Sequence, residues 1–253
     1  MELAARIATT RVKEGKIAVF WLGQAGFVIK DSKDRVIAID PYLTDCVERA
    51  YGFKRMIPRL IAPYDLDLDI LITSHDHMDH FDIDAVPCLM ANRKTRLLGS
   101  GTSAAKALEL GIDKERVTGM KPGDTAEFEG ITVKAVYADH GELAPDALGI
   151  VLTIEEKKIY YAADTAYNPE VVKTAKAEKP DIIIVPINGQ YGNLNSTEAA
   201  MLTRDSGAKV SVPCHFWTFL MHRGDPQEFV EEMAKYAPKC RIQLLCQGEM
   251  FIY

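Results

Sequence analysis

Thr73-Ser74-His75-Asp76-His77-Met78-Asp79-His80 places three imidazoles and two carboxylates within six consecutive positions, 75 to 80. The chain has only six histidines in 253 residues, so their concentration here is no accident of composition. Imidazole nitrogen and carboxylate oxygen are the donors that a borderline divalent metal selects. In extended chain, side chains at i and i+2 project to the same side, so His75 and His77 can face one point. Asp79 and His80 then follow in a loop and can serve a second cation. The plain alternative is a solvated polar loop. A full His-x-His-x-Asp-His string argues against it, pending its structural context.

Something must hold that string in place, and the pattern around it is of strands alternating with helices. Apolar runs predict strands over 16–22, 27–30 and 35–39, with a turn at 23–26 and a short buried strand over 69–73 that delivers the histidines. A helix over 82–90, a strand over 96–98 and a helix over 103–110 follow, with Ser or Thr capping the last and Gly111 stopping it. The middle reads as a β-meander over 125–128, 131–137, 150–154 and 158–162. Helix and strand then alternate: helices over 169–178, 197–206 and 226–236, each followed by a strand, over 182–186, 209–213 and 242–245. The segments IAID and YYAAD both end on an aspartate, Asp40 and Asp164. That repetition suits two similar β-rich halves packed face to face with helices outside. No linker divides the chain, which predicts one domain over 1–253.

Further candidate ligands stand at predicted strand ends: His140, Asp164 and His215. Strand carboxyl ends are where loops of an open α/β sheet converge on a site. A lone strand-end histidine usually caps or hydrogen-bonds a turn. Beside the 75–80 cluster these give five of the six histidines a common purpose, and only His222 is left over. Cys214, next to His215, reads as a small apolar residue and not as a nucleophile.

In this order, Asp40, the 75–80 cluster, His140, Asp164 and His215, the chain resembles the metallo-β-lactamase superfamily over nearly its whole length. The resemblance implies an α/β fold, a four-layer αββα sandwich, with two divalent metal ions, manganese or zinc. It implies one ion on His75, His77 and His140, the other on Asp79, His80 and His215, with Asp164 bridging and Asp40 orienting a ligand imidazole. Two cations about 3.5–4 Å apart share a hydroxide near neutral pH, and Asp79 and Asp164 are the implied catalytic carboxylates that orient it and carry its proton to the leaving group.

Within that superfamily the flanking residues look most like the L-ascorbate-6-phosphate lactonase branch. Leu22-Gly23-Gln24-Ala25-Gly26-Phe27, Phe81-Asp82, Lys121-Pro122-Gly123-Asp124 and Pro213-Cys214-His215-Phe216-Trp217 carry this likeness. His77 argues against the di-iron branch, which has glutamate there. Phe216 is a departure, since that lactonase branch tends to place a second histidine at this position. The resemblance implies a lactonase acting on a phosphorylated sugar lactone, with a homo-oligomer favoured. Substrate contacts are expected from Gln24, Tyr42, Asn188, Gln190, Tyr191 and Trp217. A phosphate anchor is expected from Arg223 with His222, or from Lys54, Arg55 and Arg59, because a dianion wants guanidinium or ammonium donors.

Composition narrows the alternatives. With 36 acidic and 30 basic residues, net charge −6, a broad nucleic-acid surface is not expected. No apolar run approaches the ~18–20 residues needed to span a bilayer. The N-terminal residues lack the pattern of a secretory leader, and the five cysteines show no C-x-x-C spacing, so a cytoplasmic location is expected. The partner is then a small, anionic substrate. The competing readings are a phosphodiesterase or phospholipase-type enzyme with the same metal set, and a non-catalytic protein whose metals serve folding or sensing.

Overall fold

The apolar runs assemble into two seven-stranded mixed sheets, one in each of two units of a computed structural model that describes residues 2–253. Unit 1 extends to Met120 and takes in Leu245–Tyr253, and unit 2 is Lys121–Leu244. Unit 1 begins with α1 (Leu3–Thr9), β1 (Ala18–Gly23), β2 (Gly26–Lys30), β3 (Val36–Ile39) and α2 (Cys46–Tyr51). It continues with β4 (Ile70–Thr73), α3 (Ala85–Leu89), β5 (Arg96–Ser100), α4 (Gly101–Glu109) and β6 (Val117–Met120). Unit 2 holds β7 (Thr125–Phe128), β8 (Ile131–Tyr137), β9 (Leu148–Ile154), β10 (Lys157–Tyr161), α5 (Pro169–Glu178) and β11 (Ile182–Pro186). Then come α6 (Ser196–Ser206), β12 (Val210–Cys214), α7 (Pro226–Tyr236) and β13 (Arg241–Ile242), after which β14 (Met250–Ile252) returns to unit 1.

The sheet orders are β14-β1-β2-β3-β4-β5-β6 and β13-β12-β11-β10-β9-β8-β7. Both follow one plan. In unit 1 the pairs from β14 through β3 are antiparallel and those from β3 to β6 parallel. In unit 2 the pairs from β7 to β10 are antiparallel and those from β10 to β13 parallel. The change of sense falls at β3, which runs into Asp40, and at β10, which runs toward Asp164. The two aspartate-ended segments therefore occupy equivalent places in two similar sheets.

Every residue of β1, β2, β3, β4, β11 and β12 is buried. Branched and aromatic side chains suit such pleated surfaces, and strands covered on both faces read as unbroken apolar runs. Each fully buried Ile or Leu contributes roughly 1.5–3 kcal/mol, which makes β4 and β12 firm mounts for the loops that follow them. Strand β5 comes close to β4 at Gly99, paired with Thr73. A Cβ at Gly99 would lie 3.0 Å from the Thr73 carbonyl oxygen and 3.0 Å from Ser103 Cβ.

Some expectations shift. The helix expected over 82–90 contracts to α3, because the Asp82 side chain accepts from the Asp84 and Ala85 N–H groups (3.1 and 3.0 Å) and makes a turn first. The strand expected over 242–245 ends at Ile242. Helices α1 and α2 and strands β6 and β14 were not anticipated. Among the described residues, no helix is long and apolar enough to cross a membrane.

Candidate metal-ligand sets

In unit 1, β3 and β4 are parallel neighbours, so their carboxyl ends lie side by side. Asp40 follows the first and His75, His77, Asp79 and His80 follow the second. Asp40 is fully buried and takes a left-handed backbone, φ 44°. Its carboxylate accepts from the Ser74 N–H at 2.7 Å, from the Ser74 hydroxyl, and from His80 Nδ1 at 2.7 Å. Ser74 Oγ, its proton given to Asp40, stands 2.9 Å from His75 Nδ1 and accepts there. Both rings are thereby held in the tautomer that leaves the Nε2 lone pair open to a metal. His75 Nε2 stands 3.0 Å from His77 Nδ1, and His80 Nε2 is 3.7 Å from Asp79 Oδ2. Two imidazole nitrogens at 3.0 Å can share one proton, or a cation can use both lone pairs.

The loop is held from outside as well. Asp82 accepts from the Leu43 and Thr44 N–H groups (2.9 and 2.7 Å), tying the chain beyond Asp40 to the chain beyond His80. Lys106 donates to the Asp76 carbonyl (2.9 Å) and pairs with its carboxylate (2.8 Å). Gln24 Nε2 donates to Asp79 Oδ2 at 2.7 Å. Gln24, expected at the substrate, is thus placed to fix a ligand carboxylate.

In unit 2, Asp164 lies between two imidazoles. Its Oδ1 is 3.2 Å from His215 Nε2, and its Oδ2 is 3.7 Å from His140 Nε2 and accepts from Asn193 Nδ2 at 2.8 Å. His140, Asp164 and His215 are all buried. Left-handed φ values at Ala163 (57°) and His215 (61°) show backbone bent where the ligands leave their strands, as happens at functional sites. The Asp139 N–H donates to Thr165 Oγ1 at 2.9 Å, and the Ala166 N–H to the Asp139 carbonyl at 2.7 Å. These bonds lock the His140 loop to the Asp164 loop.

Sequence reasoning gave no role to Ser74, Asp82 or Asn193, whose common polar types do not reveal their hydrogen-bond partners until folding places them. It also left His222 without a place in the ligand set. That ring is buried, stacks on His215 (centroids 4.7 Å, 28° between planes) and meets Tyr191 and Phe219 edge-on. His222 is therefore a wall against the candidate ligand His215.

Asn188, Gln190, Trp217 and Arg223 line one cavity of about 550 Å³ in unit 2. Tyr42 goes elsewhere: it is buried in unit 1, with the Arg55 guanidinium 4.2 Å above its ring, and burial pushes its phenol pKa up. Arg55 is already committed to the Thr44 carbonyl (2.7 Å) and Asp45 (3.2 Å), and Arg59 pairs with Asp45 at 3.5 Å. Both arginines thus already face a carboxylate, and Arg55 is the more firmly held.

Imidazole and carboxylate donors without thiolate fit a divalent ion in both sets, and Cys214 is buried in β12. The model of one protein family, the beta-lactamase superfamily domain, matches residues 23–216, a span that holds every ligand candidate named above. The chain belongs to the beta-lactamase superfamily. It is 29% identical over 236 residues to the UPF0173 metal-dependent hydrolase of Hyperthermus butylicus, covering 92% of this chain and 98% of that one. Among solved structures it is similar to Igni18, a metallo hydrolase from Ignicoccus hospitalis, with TM-score 0.76, 21% identity and 94% and 98% of the two chains covered. The isothiocyanate hydrolase from Delia radicum gut bacteria gives TM-score 0.72 at 20% identity, with 92% and 98% covered. The α/β class and the superfamily fold expected from the order of the motifs are the ones observed.

Proposed function

We propose that the chain is a metal-dependent hydrolase that opens a lactone or related ester, with the two ligand sets serving a pair of divalent ions. The assignment follows the superfamily order: His75, His77 and His140 for one ion, Asp79, His80 and His215 for the other, and Asp164 for both. The observation that carries it is the buried Asp40–Ser74 pair, which fixes the tautomers of His75 and His80 by 2.9 Å and 2.7 Å contacts. A ligand histidine needs its other ring nitrogen held in this way, so that the metal-facing nitrogen keeps its lone pair. The name of the Hyperthermus butylicus relative, a metal-dependent hydrolase, agrees with this reading.

Bound divalent ions supply Lewis acidity and a nucleophilic water near neutral pH. The chain's own groups do the rest. Asp79 and Asp164 would hold the ions and take up and pass on the proton of the reaction, and Gln24 and Asn193 hold these carboxylates in position. A lactone comes first among substrates because of the likeness to the lactonase branch. The five cysteines are all free thiols, which suits a cytoplasmic enzyme.

Hydrolysis of a panel by Mn²⁺- or Zn²⁺-loaded protein tests the reading: sugar lactones with and without phosphate, and a generic phosphodiester. Lactone turnover supports it. Turnover of the diester alone would move the chain to phosphodiester chemistry with the same ligands, and silence on all three would count against a hydrolase.

A further inference from the structure

The loop over 215–224 starts at the ligand candidate His215 and contributes Trp217, Arg223 and Gly224 to the cavity of unit 2. Gly224 allows the close approach that builds this wall. It takes φ 59°, and a Cβ there would lie 2.6 Å from Phe216 Cβ and 3.4 Å from Asn188 Cα. Beside Gly224 the lining is polar and unsatisfied. Asn188 and Ser196 are 2% and 1% exposed, yet Asn188 Oδ1 and Ser196 Oγ have no hydrogen-bond partner. A buried polar atom left unpaired is costly, so such atoms on a cavity wall point to a ligand that pairs them. Trp217 is 54% exposed beside them, a flat apolar face in a polar setting.

Charge decides what kind of ligand this is. The cavity wall carries one cation, Arg223, and two carboxylates, Asp225 and Glu228. A phosphate dianion would gain one guanidinium and face two like charges. A ring or chain rich in hydroxyls pairs acceptors and donors alike and lays its C–H face on the indole. We infer that this cavity is the specificity pocket for the neutral, polyhydroxylated part of the substrate, stacked on Trp217 and read by Asn188 and Ser196, and that it disfavours a phosphate ester. This rests on the hydrolase reading for the word substrate, but binding can be measured without turnover.

The test titrates the metal-loaded full chain with a neutral sugar lactam, which resists hydrolysis, with its phosphate ester, and with inorganic phosphate. Calorimetry follows binding, so that variants without Trp217 can be read as well. The expected result is saturable binding of the neutral lactam, weakened in Trp217→Phe, and at least tenfold weaker binding of the phosphate ester. Ser196→Ala, which removes a hydroxyl that nothing in the fold uses, is expected to weaken the lactam about tenfold, the worth of one hydrogen bond. Asn188→Ala should do at least as much. Tighter binding of the phosphate ester or of inorganic phosphate would overturn the inference, as would lactam binding indifferent to Ser196→Ala and Trp217→Phe, or no lactam binding at all. Lactam binding by a protein that hydrolyses nothing would keep the pocket and sink the hydrolase reading. Lactone hydrolysis indifferent to both variants would do the reverse.

Discussion

Asp40 and His80 are both fully buried, and the Asp40 carboxylate accepts from His80 Nδ1 at 2.7 Å. The same carboxylate takes two donors from Ser74, whose hydroxyl steadies His75. One side chain thus governs two imidazoles. Asp40→Asn is the informative substitution, because asparagine tolerates the left-handed backbone at φ 44° while replacing an acceptor by a donor. It should lower metal affinity about 10–100-fold, the usual effect of losing a ligand's hydrogen-bonding partner, with the far-UV circular dichroism unchanged. Calorimetric titration with Zn²⁺ or Mn²⁺ checks this, and unaltered affinity would remove Asp40 from the support of the ligands.

Asp164 stands between His215 (3.2 Å) and His140 (3.7 Å) and is held by Asn193. Asp164→Asn keeps the shape and removes the charge. Hydrolysis should fall roughly 100-fold or more while the fold survives, and metal content by elemental analysis should fall with it. Undiminished turnover would end its assignment as the bridging carboxylate.

Glu178, at the end of α5, pairs with Lys134 of β8 and Lys158 of β10. Burial raises its pKa, but the two ammonium groups outweigh that, and the net direction is below the ordinary 4.5. A carboxyl depressed on folding adds stability above its unfolded value and loses it as pH falls through its folded one. Wild-type protein should therefore melt higher than Glu178→Gln at pH 6 to 7, with the gap closing as pH drops below 4.5. A gap that stayed constant down to pH 3 would refute the linkage.

Gly99→Ala would drive a methyl into Thr73 and Ser103 at the mouth of β4, just ahead of the histidine loop. Overpacking of this sort costs about 1–3 kcal/mol. Thermal denaturation should show a lower Tm, and metal affinity should fall as well, because Thr73 leads directly into Ser74. A change in Tm with metal binding intact would show that the strain relaxes away from the loop.

The candidate ligands could be picked out because chemistry constrains their types: His-x-His-x-Asp-His has few other uses, and strand ends are marked by apolar runs that stop at Asp40, Asp164 and His215. Helices α5 and α7 were legible to the residue, since Asn168-Pro169 and Asp225-Pro226 mark their starts, the Asn and Asp side chains accepting from the first-turn N–H groups. Helix α1 was not, for it has no side-chain cap and is secured from afar by buried Lys30, which donates to the Ile7 and Ala8 carbonyls (3.0 and 2.7 Å). Strand β6 hides Thr118 and Gly119 in a short exposed run, and β14 owes its place to pairing with β1, more than 200 residues away in the chain. Tyr42 shows the limit for pocket residues. Its position at a loop suggested a substrate contact, and a cation–π stack beneath Arg55, invisible in sequence, keeps it in the core.

The most direct measurement strips the protein with a chelator, reloads it with Mn²⁺ or Zn²⁺, and follows lactone hydrolysis in wild type, His77→Ala and Asp164→Asn. Activity should vanish with the metal, return on reloading in the wild type, and fail to return in either variant. Hydrolysis that persists in stripped protein, or that returns fully in both variants, would contradict a metal-dependent hydrolase built on these ligands.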